Sequence, residues 1–152
     1  MRVSAKADYA VRAAVELAVL DSGATLTTEQ IAERQDIPPL FLQKILHELR
    51  RAKIVTSLRG REGGHRLARA PKQISVADVL RVIDGPLANV HGESPEDVDY
   101  RGAAEPLQDV WIALRTNMRE VLEKVTLADI AAAKLPKRID TLARNPESWV
   151  TR

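Results

Sequence analysis

Residues 27–51 read TTEQIAERQDIPPLFLQKILHELRR, and this stretch decides the fold. Thr27 and Gln30 stand three apart, the spacing of a capping box, in which each side chain satisfies a free backbone N–H at a helix start. A short helix should follow to about Gln35. Asp36-Ile37-Pro38-Pro39 is a turn, with the prolines placed for the first turn of a new helix, where a missing N–H costs nothing. That helix is expected over residues 39–52. Phe41, Leu42, Ile45, Leu46 and Leu49 recur at helical spacing and should pack inward. Gln43, Lys44, His47, Arg50 and Arg51 fall on the opposite side.

The flanks extend this pattern. Ser4 can cap a first helix over roughly residues 5–20, ended by Asp21-Ser22-Gly23. Downstream, Ile54-Val55-Thr56-Ser57 is short and β-branched, as a strand requires. Arg59-Gly60-Arg61-Glu62-Gly63-Gly64 reads as a tight loop, and His65-Arg66-Leu67-Ala68 as the returning strand. Ser75 caps a fourth helix over residues 76–84, with Asp78 in its first turn. Helix, turn, helix, then hairpin is the order of a winged helix-turn-helix. The expected fold class is mainly α with a small β-hairpin. A winged domain over residues 1–84 is followed by an acidic effector or linker loop at 85–106. A dimerisation-helix region at 107–131 and a polar tail at 132–152 complete the chain.

Composition bounds the chemistry. The chain has 152 residues, enough for one compact domain and an appended element. Hydrophobic residues make up 45% and aromatics only 3%, so the core must be aliphatic. Cysteine is absent, which excludes disulfides, thiolate nucleophiles and cysteine-ligated zinc or iron–sulfur centres. No apolar run approaches the roughly 18 residues that a membrane span needs. The first residues lack a signal-peptide core, so cytoplasmic residence is expected. The three histidines, His47, His65 and His91, belong to no catalytic signature, and neither a nucleophile elbow nor a phosphate loop occurs. An enzyme is not expected.

Charge points to an anionic partner. Residues 1–72 carry 13 basic and 8 acidic side chains, whereas residues 73–152 carry 10 and 13. From Arg50 to Lys72, eight basic residues face a single acid, Glu62. The exposed stripe of the third helix combines an amide, an amine, an imidazole and guanidinium groups. Glutamine can pair with adenine, lysine can donate to guanine acceptors, and arginine can hold phosphates. An arginine at a glycine-flanked hairpin tip can enter a narrow minor groove. Double-stranded DNA is therefore the expected partner. The contrasting reading is an effector-sensing or protein-interaction module in which DNA binding is secondary.

Several motifs together carry a resemblance. They are Ser4-Ala5-Lys6-Ala7-Asp8-Tyr9-Ala10, Ile31-Ala32, Phe41-Leu42-Gln43-Lys44-Ile45-Leu46, Leu49, and Arg59-Gly60 with Gly63-Gly64. Val76-Ala77-Asp78-Val79 and Ile83-Asp84-Gly85 continue the match, which covers about residues 1–130. The chain resembles the Rrf-type (IscR/NsrR/CymR-like) family of bacterial winged helix-turn-helix regulators, as a member without cluster-ligating cysteines. The resemblance implies a homodimer on a palindromic operator, usually as a repressor. It implies base contacts from the start of the recognition helix and a minor-groove contact from Arg59. The expected DNA-contacting set is Thr28, Pro39, Leu40, Gln43, Lys44, His47, Arg51, Arg59, Gly60, Arg61 and His65. His65 departs from the tyrosine usual in the family.

Leu107, Trp111, Leu114, Met118, Val121 and Val125 are spaced 4, 3, 4, 3 and 4 apart, a heptad seam on a helix expected over residues 107–125. Val110 and Leu122 widen it. A lone helix beyond a small domain needs a cover for such a stripe, either a partner or its own domain packed back on it; the family resemblance implies a second copy. Many relatives hold an iron–sulfur cluster on three cysteines in the segment corresponding to residues 90–101. That segment has none here, so no cofactor and no metal is expected. Asp8 and His91 are the effector candidates, since some relatives use an acid early in the first helix. The loop admits three readings: a small-molecule or protein effector site, a site for a harder metal through His91, Glu93, Asp97 and Asp99, or an inert acidic linker.

Overall fold

A computed structural model describes residues 3–60 and 63–151. The element order is α1 (Ala5–Ala18), α2 (Thr28–Gln35), α3 (Pro39–Arg51), β1 (Val55–Leu58), β2 (Gly64–Leu67), α4 (Val76–Asp84), α5 (Leu107–Leu122), α6 (Leu127–Ala131) and α7 (Lys137–Arg144). The capping residues set these boundaries. The Ser4 hydroxyl accepts from the Ala7 N–H at 3.0 Å. Thr27 and Gln30 form the expected box: Thr27 N–H donates to Gln30 Oε1 at 2.8 Å, and Gln30 N–H donates to Thr27 Oγ1 at 3.2 Å. Asp36 closes α2 in the left-handed conformation, φ 51°. The chain can then turn sharply into Pro38 and Pro39.

The core is aliphatic and lies among α1, α3 and α4, with α2, β1 and α6 closing it. Ala10, Ala13 and Ala14 of α1 are fully buried, and their small side chains let α3 and α4 approach closely. Leu42, Ile45, Leu46 and Leu49 form the inward face of α3. Each such burial contributes about 1.5–3 kcal/mol before entropy is charged against it. Phe41 departs from the expected inward set. It is 37% exposed at the rim and meets Tyr9 edge to face at a centroid distance of 5.9 Å. At the first turn of α3 the core has already narrowed, so a large ring is held by one aromatic neighbour.

The hairpin pairs Val55 with Leu67, Thr56 with Arg66, Ser57 with His65 and Leu58 with Gly64. A third segment joins it. Leu26 and His65 exchange backbone hydrogen bonds of 3.0 and 2.7 Å, locking the residue before α2 to the wing. Gly64 is required there, because a Cβ at this position would lie 2.7 Å from the Leu26 carbonyl oxygen.

The second half corrects two expectations. The predicted helix over 107–125 ends at Leu122, and Val125 is 7% exposed. The Val125 carbonyl accepts from Val76 N–H at 2.9 Å, and Leu127 N–H donates to Ile74 O at 2.9 Å. Val125 therefore belongs to the core of its own chain, not to the exposed seam. Thr126 and Asp129 form another capping box and start α6, which packs back on α1. Residues 125–131 thus close the winged domain. The same spacing that marks Thr27 and Gln30 could have revealed this restart. The segment expected as an effector or linker loop is held along α5. Pro95 is fully buried, and Gln108 Nε2 donates to the carbonyls of Pro95, Glu96 and Val98 at 3.2, 3.2 and 3.0 Å. Trp111 Nε1 donates to Tyr100 Oη at 2.9 Å, and Arg115 pairs with Glu96. Gln108, Trp111 and Arg115 lie on one face of α5 and hold the loop along it.

Candidate nucleic-acid interface

α3 carries the exposed stripe. Its buried leucines and isoleucine fix its rotation, so Pro39, Leu40, Gln43, Lys44, His47 and Arg51 all face outward. Leu40, Gln43, Lys44, His47 and Glu48 line a shallow groove of about 570 Å³. Beside it, a cup of about 180 Å³ lies between Thr28, Gln43, Leu46, His47, Arg50 and His65. The start of α2, the recognition face and the wing meet at this cup. Arg50 Nη2 lies 3.3 Å from His47 Nδ1.

His65 is the hinge of that junction. Its Nε2 lies 3.1 Å from Thr28 Oγ1, and its Nδ1 lies 3.4 Å from Ser57 Oγ. Hydroxyls on both sides can each donate or accept, so either neutral tautomer is served. Burial lowers the His65 pKa from its ordinary value of 6.5; nearby Arg50 adds to that, and Glu29 opposes it. The imidazole holds the hairpin to the helix-turn-helix, at a position where the family resemblance implies tyrosine. Thr28 is accordingly half-buried and engaged with His65 rather than fully free.

At the wing tip, Arg59 and Gly60 are exposed, and Gly63 N–H closes the turn on the Gly60 carbonyl at 2.9 Å. Gly60 adopts φ 109°, a conformation that side-chain-bearing residues rarely reach. Arg61 lies outside the described residues. The basic residues of this region share one property. Among the described residues, no lysine or arginine from Lys44 to Lys72 makes a salt bridge. The bridges lie elsewhere: Lys6 with Glu48, Arg12 with Asp8, Arg34 with Glu16, and Arg81, Arg115, Arg138 and Arg144 with acids of the second half.

The other candidates fall apart from this face. No residue of α5 is buried. Val110 is 54% and Leu114 43% exposed, while Leu107, Trp111, Met118 and Val121 are half-covered. Leu114 and Met118 also border a cleft of about 520 Å³, whose other walls are Val3 and Ser4 ahead of α1, the end of α4 and the loop from Gly85 to Asn89. Asp8 is exposed and paired with Arg12 at 3.2 Å. His91 sits exposed on a left-handed turn, φ 55°, between Val90 and Glu93. Sequence reasoning missed the Leu26–His65 bridge, because a single residue before a helix has no periodicity to announce a strand.

Known proteins match this arrangement. The Rrf2 family, described as an iron-dependent transcriptional regulator, matches residues 3–133. A protein of Mycobacterium tuberculosis strain H37Rv, named as an HTH-type transcriptional regulator (Rv1287), is 54% identical over 143 residues, covering 94% of this chain and 89% of that protein. The structure of CymR, titled the global cysteine regulator of B. subtilis, superposes with a TM-score of 0.75 at 29% identity, over 88% of this chain and 98% of that one. T. potens IscR superposes with a TM-score of 0.70 at 30% identity, over 100% of this chain and 93% of that one.

Iron in that family description meets a poor donor set here. An iron–sulfur cluster is held mainly by thiolates, and this chain has no cysteine. Among the described residues, no group of three or more histidines or carboxylates could hold a metal ion. Glu96 is already engaged with Arg115. The residues present do not fit the group. The match over residues 3–133 stands beside that misfit: the chain belongs to the Rrf2 family, as a winged helix-turn-helix, DNA-binding transcriptional regulator and not an enzyme.

Proposed function

We propose that the protein represses transcription in the cytoplasm as a homodimer on a palindromic operator, without an iron–sulfur cluster. The observation that carries the reading is the cluster of basic side chains on α3 and the wing, from Lys44 to Lys72, none of which makes a salt bridge among the described residues. Basic side chains clustered on one face without salt bridges can be offered to an external polyanion. Lys44 and Gln43 would read base edges in the major groove, with Pro39, Leu40, His47 and Arg51 around them. Arg59 would enter the adjacent minor groove, with Gly60 bringing the wing backbone close. Thr28 and His65 would sit against the phosphates between the two.

The dimer follows from α5. Its apolar stripe is only half covered within the chain, and Leu107, Trp111, Leu114, Met118 and Val121 would be covered by the same helix of a second copy. Two recognition helices would then lie one turn of DNA, or a multiple of it, apart. The signal would act through the loop at 85–106, by a small molecule or a protein that shifts the two reading heads. Cluster-free sensing rests on the missing thiolates.

The test is selection of bound duplexes from a genomic library, followed by titration of a selected duplex and a reporter placed under it. A palindromic consensus, nanomolar binding by a dimer and lowered reporter output support the reading. Absence of any enriched sequence would overturn it, and raised output would replace repression with activation.

A further inference from the structure

Leu40 has no structural work to do. It is the second residue of α3, and 79% of its surface is exposed, more than for any other described leucine. Leu42, Ile45, Leu46 and Leu49 complete the inward face without it, and the adjacent Phe41 turns to Tyr9. Its neighbours one turn on are Gln43 and Lys44, both exposed and polar. A bare leucine at the leading edge of a basic, groove-facing stripe calls for an apolar feature on a polyanion. The major groove offers one such feature, the C5-methyl group of thymine.

We infer that Leu40 packs against a thymine methyl and so specifies an A·T pair beside the base read by Gln43; this rests on the DNA-binding reading above. Residues three and four apart on a helix have Cβ atoms about 5–6 Å apart. Successive bases rise about 3.4 Å. The thymine therefore falls within two base pairs of the Gln43 contact. The mixed surface would give specificity that charge alone cannot, since phosphate contacts carry no sequence information.

The experiment uses the full chain and a duplex from the selection, with each thymine of both half-sites replaced in turn by deoxyuridine. This change removes the methyl and nothing else from the base edge. One position should raise Kd about four-fold per half-site, the worth of one buried methyl group. Leu40→Ala should bind the thymine and uracil duplexes alike, with unchanged circular dichroism because the side chain is exposed. Equal wild-type affinity for every uracil duplex, a half-site lacking thymine in that span, or full discrimination by Leu40→Ala would each overturn the inference while leaving DNA binding standing. Failure of the chain to select any duplex would bring down the DNA-binding reading itself, and the inference with it.

Discussion

The helices α3 and α5 both carry an apolar stripe, and their fates differ. In α3 four residues of the stripe are buried by the rest of the chain. In α5 no residue is buried. Charge runs the opposite way. The basic residues around α3 and the wing stand unpaired among the described residues, whereas Arg115 and Arg138 of the second half are held by Glu96 and by Glu120 of α5. One region has satisfied its hydrophobic demand and left its charge open. The other pairs part of its charge and leaves its apolar stripe only half covered. On the proposed reading each open demand has a partner: nucleic acid for the first, a second copy of the chain for the second.

The largest expected effect tests the open apolar stripe. Leu114→Glu should abolish the dimer and lower operator affinity at least 100-fold, because two half-sites are no longer held together. Sedimentation would show a monomer with native circular dichroism, since Leu114 is already 43% exposed in the single chain. A persistent dimer would remove α5 from the interface. On the charged side, Arg59→Ala should weaken operator binding roughly 10- to 100-fold by titration at fixed salt, as loss of a groove-reading arginine does, while leaving the dimer intact.

Val125 marks where the two regions meet. If it belongs to the core, Val125→Ala should destabilise the fold by about 1–3 kcal/mol in urea unfolding extrapolated to the folded dimer, without weakening the dimer constant. A weakened dimer with unchanged stability would return Val125 to the seam. The smallest effect concerns His65. Its folded pKa is lowered, so the neutral form is favoured by folding. That contribution is complete above the ordinary value of 6.5 and is lost as pH falls through the lowered folded value. Wild type should therefore lose stability on acidification more steeply than His65→Phe. Parallel pH profiles would show that the histidine does not titrate on unfolding.

The contrast also explains what could be read in advance. Capping residues and short turns act locally, so α1 to α4 and the hairpin were legible from Ser4, Thr27, Pro39 and Ser75. The exposed polar face of α3 was legible because burial of Leu42, Ile45, Leu46 and Leu49 leaves only one way for Gln43 and Lys44 to point. Periodicity announces a stripe but not its cover. The run from Leu107 to Val125 therefore read as one seam, although the chain turns after Leu122 and buries Val125 at home. The loop at 85–106 looked irregular because its order comes from Gln108, Trp111 and Arg115 reaching back to it from α5. Such contacts leave no periodic trace.

The cations from Lys44 to Lys72, free of salt bridges among the described residues, are proposed to meet DNA phosphates and base edges. The salt dependence of operator binding, for wild type and for Arg51→Ala, tests this. Wild type should show a steep linear fall of log affinity with log salt, and Arg51→Ala should reduce the slope by about one. A wild-type slope near zero, or one that Arg51→Ala leaves unchanged, would contradict it.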